Sequence, residues 1–205
     1  MIYIFDVFII FLLFGVFGLI HSLLASDELK KKLVENIGNK IAFYKVFYNV
    51  SSLFFFIVIY EISPKPDLLI YEFNFPYDLI ILSLQLIPLA GLFWSLKQND
   101  LKEFLGIAQL IRYFNNQYNQ QELDEKPNFR TDGAYKICRH PIYFFSILFL
   151  LLRPSMDLFY LTFALSLVIY FYVGSIYEER KLLIKFGDEY AKYREQVPRI
   201  FPKMF

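Results

Sequence analysis

Three short polar stretches interrupt an otherwise apolar chain. Cys138-Arg139-His140-Pro141-Ile142-Tyr143 sets the only thiol, a guanidinium and an imidazole at the start of a hydrophobic run. Glu178-Glu179-Arg180 stands where a later run stops, and His21-Ser22 lies near the end of the first. A guanidinium recognises a carboxylate through a planar fork, and a tyrosine face attracts a cation. Carboxylates take up an ammonium or a sugar diol, and an imidazole moves a proton near neutral pH. Such a set suits a small ligand carrying both signs of charge, with each charge-assisted hydrogen bond contributing roughly 1.5–3 kcal/mol. Taken singly, each residue has a plainer role. Arg139 can anchor to lipid headgroups and His140 can mark the boundary that a following proline imposes. Glu178 and Glu179 can be a solvated helix end, and Tyr135, Tyr143 and Tyr177 an interfacial belt. The set becomes a candidate site only if the chain gathers it.

The elements that must do so are hydrophobic. Of the 205 residues, 57% are apolar and 20% aromatic, against about 45–50% apolar in ordinary globular chains. Four runs, about residues 2–24, 43–62, 77–96 and 158–177, each match the ~20 residues that cross a bilayer core. A fifth, about 140–152, holds the eleven-residue stretch Ile142 to Leu152, which reaches roughly 17 Å as a helix. The expected architecture is therefore all-α and polytopic, a single membrane-embedded domain over 1–205. It has about five transmembrane helices, a short C-terminal helical hairpin turning at Arg153-Pro154-Ser155-Met156-Asp157, and a cytoplasmic C-terminal helix. The first run lacks a basic leader and a small-residue cleavage pattern, so it is expected to be retained. A net charge of +1 gives no field for nucleic acid. One cysteine and two histidines exclude a disulfide framework and a His/Cys-rich metal site, so no metal is expected.

Charge orients the spans. Nineteen of the 21 Lys and Arg residues fall on one side, leaving Lys65 and Arg153 on the other. By the positive-inside rule the N-terminus is outside and the C-terminus cytoplasmic, as in a bacterial-type cytoplasmic membrane. All three polar stretches then lie at the cytoplasmic face. Residues 101–114 carry apolar side chains at helical spacing and are expected to form one interfacial amphipathic helix. Residues 115–129 read as polar loop. The C-terminal helix is expected to break near Phe186-Gly187, resume at Asp188 and end at Val197-Pro198.

In order and spacing, Gly133-x-Tyr135, Arg139-His140-Pro141-x-Tyr143, Glu178-Glu179, Phe186-Gly187-x-x-Tyr190, Tyr193 and Val197-Pro198 resemble the C-terminal signature of the integral-membrane methyltransferases. That group includes isoprenylcysteine carboxyl methyltransferase and the phospholipid N-methyltransferases. The match covers about residues 131–202. The N-terminal half, through His21 to Ser26 and Phe43 to Ser52, is similar to the membrane thiol S-methyltransferase and NnrU-like branch. The resemblance implies a methyltransferase enzyme using S-adenosylmethionine at the membrane face. That ligand has a carboxylate, an ammonium, a ribose diol, an adenine and a sulfonium, which matches the mixed set above. The resemblance implies that Gly133 and Tyr135 shape the cofactor turn. Arg139, His140, Pro141 and Tyr143 would line the pocket, and Glu178 and Glu179 would close it, with Arg139 and Glu179 counted as catalytic.

The methyl acceptor stays open among a small thiol, a prenylcysteine carboxylate and a lipid amine, reached in the related branches from the bilayer. A thiol needs deprotonation, since its ordinary pKa is about 8.5. His21 is the candidate base or hydrogen-bond partner, with Ser22 and Asn49 as helpers, although His21 and Ser22 could equally satisfy helix-end carbonyls. Cys138 reads as filler beside the motif. Two other classes compete. Steroid and sterol reductases carry a similar Arg-His-Pro hairpin and use NADPH, but typically read Asn-Tyr after the proline, where Ile142 stands here. A non-enzymatic NnrU-like accessory protein would have been favoured by loss of Arg139-His140 or Glu178-Glu179, and both pairs are present.

Overall fold

The computed structural model describes residues 2–123 and 129–202. Part of the polar loop expected at 115–129, residues 124–128, lies outside the described residues. The chain is almost wholly helical. Helix α1 (Ile2–Leu24) is followed by α2 (Asp27–Ile37), a 3-10 stretch (Gly38–Phe43) and α3 (Tyr44–Ile62). Then come strand β1 (Leu69–Glu72), α4 (Tyr77–Lys97), α5 (Leu101–Leu105) and α6 (Ile107–Phe114). A 3-10 turn (Gly133–Lys136) leads into α7 (Pro141–Leu151), β2 (Ser155–Asp157) and α8 (Leu158–Gln196).

Among the described residues four helical runs are long and apolar enough to cross a membrane: Tyr3–Leu24, Asp27–Ile62, Tyr77–Lys97 and Leu158–Gln196; α7 is a shorter apolar helix. Large apolar side chains point outward along them. Ile4, Phe8, Leu12 and Leu19 are exposed on α1, Phe47, Leu53 and Phe54 on α3, and Leu86, Ile87 and Phe93 on α4. In water so much exposed apolar surface would drive association; in lipid it is solvated. The all-α polytopic expectation is borne out.

The chain forms two compact units. The first draws on Met1–Phe14, Ser63–Gln98 and Phe129–Phe205. Here α7, too short to span alone, is backed by α4. Gly91 opens the space for this, because a Cβ there would lie 2.4 Å from the Phe145 ring. Gln85 also donates from α4 to the Phe149 carbonyl at 2.9 Å. Small residues and interhelical polar bonds are the usual means of packing helices in lipid, where burial of apolar surface drives nothing. Phe14 meets Phe163 edge-on at 5.3 Å, and Ile147, Phe159, Ala164 and Leu167 fill the interior. Helix α8 starts at an Asp157 cap, whose side chain accepts from Tyr160 N at 2.7 Å. At Gly187 the backbone turns to φ 52°, ψ −127°, a conformation glycine adopts without a Cβ penalty. The expected break there is borne out, as is the helix end at Val197.

The hairpin turn differs from expectation. Ser155–Asp157 is a short strand paired antiparallel with Leu69–Glu72, in register Leu69 to Asp157 and Glu72 to Ser155. Phe73 N donates to Pro154 O and Leu158 N to Leu68 O, both at 2.8 Å. The turn's backbone groups are paired with other backbone groups this way.

The second unit, Gly15–Ile62 with Asn99–Asn128, holds α2, α3, α5 and α6. Ser26 caps α2 and Asp100 caps α5. The helix expected across 101–114 is two helices, because Gly106 takes φ 89° between them. A Cβ at Gly106 would lie 2.7 Å from Val46 Cγ2, so the glycine also lets this corner lie against α3. Arg112 spans the corner with a two-pronged bond to Glu103, both at 2.8 Å.

Candidate functional site

The first unit gathers most of the polar residues singled out from the sequence. Residue Gly133 begins the turn at φ 56°, and a Cβ there would lie 2.0 Å from the Gln98 side chain at the foot of α4. Gln98 in turn accepts from Ala134 N at 3.1 Å. Tyr135 presents its carbonyl to the Tyr193 hydroxyl at 2.7 Å, tying the turn to the end of α8. Pro141 is fully buried at the first position of α7, where its missing N–H costs nothing. The N–H groups just before it are met by the chain's end: Arg139 N donates to Pro198 O at 2.9 Å and His140 N to Arg199 O at 3.0 Å. The segment after α8 thus lies alongside the Arg-His-Pro motif.

Glu179 is the centre of this arrangement, 2% exposed. Arg139 grips it through Nε at 2.8 Å and Nη2 at 3.0 Å. Its Nη1 donates to Arg194 O at 2.9 Å and to Val197 O. Arg199 reaches the same carboxylate from the other side, at 3.3 Å through both Nε and Nη2. His140 bridges the two glutamates, with Nε2 3.2 Å from Glu179 and Nδ1 3.3 Å from Glu178. Tyr143 donates to Glu178 as well. The rings of His140, Tyr143 and Phe171 form a stack, with centroids 5.3 and 4.7 Å apart and planes within 6° and 14°.

Charge follows from geometry. Ionised carboxylates only accept, so an imidazole with both nitrogens on carboxylates must donate from both and is protonated. Burial alone would lower the His140 pKa; the bonds to Glu178 and Glu179 outweigh it and raise the value above the ordinary one. Burial would likewise raise Glu179, but hydrogen bonds from His140 and Arg139, with the Arg139 and Arg199 charges, hold it at about 2. Burial pushes the Cys138 thiol up to about 11, so it is no nucleophile at neutral pH. Among the described residues no cluster of three His, Cys, Asp or Glu could hold a metal.

The sequence reading singled out Arg139, His140, Tyr143, Glu178 and Glu179, and these five are brought together. It passed over Arg199, whose signal was a second cation just past the helix end, in the stretch Val197-Pro198-Arg199. Phe171, half-buried on a span, gave none.

In the second unit His21 sits between two hydroxyls of α3. Its Nδ1 lies 2.9 Å from Ser52 Oγ, and Tyr48 meets Nε2. Phe17 and Tyr48 flank the ring at 5.5 and 4.7 Å between centroids. The expected helpers stand elsewhere: Asn49 donates to Phe104 O at 2.9 Å, and Ser22 is exposed. Tyr48 and Ser52 were missed although they are four residues apart, the spacing that puts both on one helix face.

Comparison with known proteins gives partial matches. The chain is 42% identical over 76 residues to methanethiol S-methyltransferase 1 of Bradyrhizobium diazoefficiens, which is 37% of this chain and 27% of that protein. It is 36% identical over 77 residues to the methanethiol S-methyltransferase of Pseudomonas deceptionensis, 38% of this chain and 29% of that one. It is 33% identical over 101 residues to that of Crocosphaera subtropica, 49% and 37% of the two chains. The matched stretches thus span between about a quarter and two fifths of these relatives. No family model matches, and no solved structure matches. The similarity to the membrane thiol S-methyltransferase branch, read from the motifs alone, is borne out.

Proposed function

We propose that this chain is a membrane enzyme that transfers a methyl group from S-adenosylmethionine to a small thiol, acting as one domain at the cytoplasmic face. The observation that carries the reading is the gathering of Arg139, His140, Tyr143, Glu178, Glu179 and Arg199 between the start of α7, the middle of α8 and the segment after it. The relatives' names favour a thiol over the prenylcysteine and lipid-amine alternatives. The donor set fits the cofactor: guanidinium for its carboxylate, Glu178 for its ammonium, and the Tyr143 face for a cationic or flat group. When bound, S-adenosylmethionine supplies an electrophilic methyl group on a sulfonium.

The chain's own groups bind, orient and handle the proton. Glu179 and Arg139 fix the foot of α7 against the end of α8, and His140 holds Glu178 in place. No covalent enzyme intermediate is needed, since displacement at a methyl group asks chiefly for alignment. A thiol must lose its proton, and His21, held between Ser52 and Tyr48, is the base we propose for it.

Sealed membrane vesicles test the reading. The charged donor does not cross lipid, so labelled methyl should reach methanethiol when S-adenosylmethionine is added to inside-out vesicles and not to right-side-out ones. In His21→Gln transfer to methanethiol should fall by roughly 100-fold or more, with binding of S-adenosylhomocysteine unchanged. No transfer from either vesicle type would refute the function; transfer only in right-side-out vesicles would refute the orientation.

A further inference from the structure

Two arginines share Glu179, and they are not equivalent. The Arg139 side chain is 7% exposed and the Arg199 side chain 31%. Arg139 holds the carboxylate at 2.8 and 3.0 Å and spends its remaining terminal nitrogen on the Arg194 and Val197 carbonyls. Removing it from these partners to serve a ligand would strand a buried carboxylate and two backbone acceptors. Arg199 makes only two contacts of 3.3 Å to Glu179, beyond the usual 2.7–3.2 Å range of such bonds. Its guanidinium also lies 5.7 Å from the centre of the Tyr172 ring, a cation–aromatic contact at the edge of the cluster.

The two glutamates differ in the same sense. Glu179 is enclosed on every side by Arg139, His140 and Arg199, with its side chain 3% exposed, whereas the Glu178 side chain is 51% exposed. Glu178 is held from behind by His140 and Tyr143, so its outer lone pairs remain for an ammonium.

We infer that Arg199, rather than Arg139, is the residue that takes the carboxylate of the methyl donor, with Glu178 taking its ammonium. Arg139 and Glu179 are then a positioning pair that holds the Val197–Arg199 segment beside α7. This assignment rests on the donor proposed above. It moves the ligand-touching cation from the motif before α7 to the segment after α8, so the donor itself would bind the chain's end to the site.

Two ligands separate the possibilities. S-adenosylhomocysteine has the amino-acid moiety; 5′-methylthioadenosine has the adenosine and thioether without it. Calorimetry on the detergent-purified full chain should find both bound, the first more tightly. In Arg199→Gln the affinity for S-adenosylhomocysteine should fall at least tenfold, with 5′-methylthioadenosine changed less than twofold and the melting temperature lowered less than in Arg139→Gln. Arg199→Lys should recover part of the loss, since it keeps the charge without the fork. Arg139→Gln should instead lower the melting temperature and weaken both ligands together. Equal losses for both ligands in Arg199→Gln, or no loss for either, would overturn the assignment to Arg199. Failure of the wild-type chain to bind either ligand would overturn the donor reading on which it stands.

Discussion

Glu179 is a buried anion whose ionisation is maintained by three cationic neighbours, and that makes its removal more costly than its size suggests. In Glu179→Gln the shape stays, but Arg139, His140 and Arg199 lose their common counter-charge. Breaking a buried pair by deleting one partner typically costs about 3–5 kcal/mol, so thermal unfolding in detergent should show a large drop. The pH dependence has a definite sign. A carboxylate held at about 2 contributes its full stabilisation above the ordinary carboxylate range and loses it as pH falls towards that value. His140, raised by the same contacts, contributes below the ordinary imidazole range and loses its contribution as pH climbs through its raised value. The gap between wild type and Glu179→Gln should therefore shrink steadily below about pH 4.5. A gap that does not change in that range would show that Glu179 is not the ionised centre.

At the scale of elements, glycines decide where the helices let the site form. Gly133 needs positive φ and also has the Gln98 side chain where its Cβ would be. Gly133→Ala should lower stability by about 1–3 kcal/mol, the usual cost of a strained backbone position, read as a lower melting temperature. Shortening Gln98 as well should return only part of the loss, because the backbone strain persists; complete recovery would mean that the side-chain clash was the whole effect. The four spans were legible because each is a long apolar run, and the Gly187 break because a glycine follows a helix of fixed period. The corner at Gly106 was not, since its flanking apolar residues keep helical spacing across the break and hide it. The ribbon of Leu69–Glu72 with Ser155–Asp157 was equally hidden: its strands are four and three residues long and far apart in sequence. Contacts of that kind are made by tertiary placement, not by local pattern. The same holds for Arg199, whose partner Glu179 lies one helix break away.

For the whole molecule, the outward apolar faces of α1, α3 and α4 describe a protein of the membrane. Within it the polar cluster collects residues from both ends of a hairpin and from the segment beyond it. The central claim is that this cluster serves a methyl donor and not a nicotinamide cofactor, the alternative that a similar Arg-His-Pro hairpin raises. Calorimetric titration of the detergent-purified chain with S-adenosylhomocysteine and, separately, with NADPH tests it most directly. The account predicts saturable binding of S-adenosylhomocysteine and none of NADPH. Binding of NADPH alone would contradict it and make the cluster a reductase site.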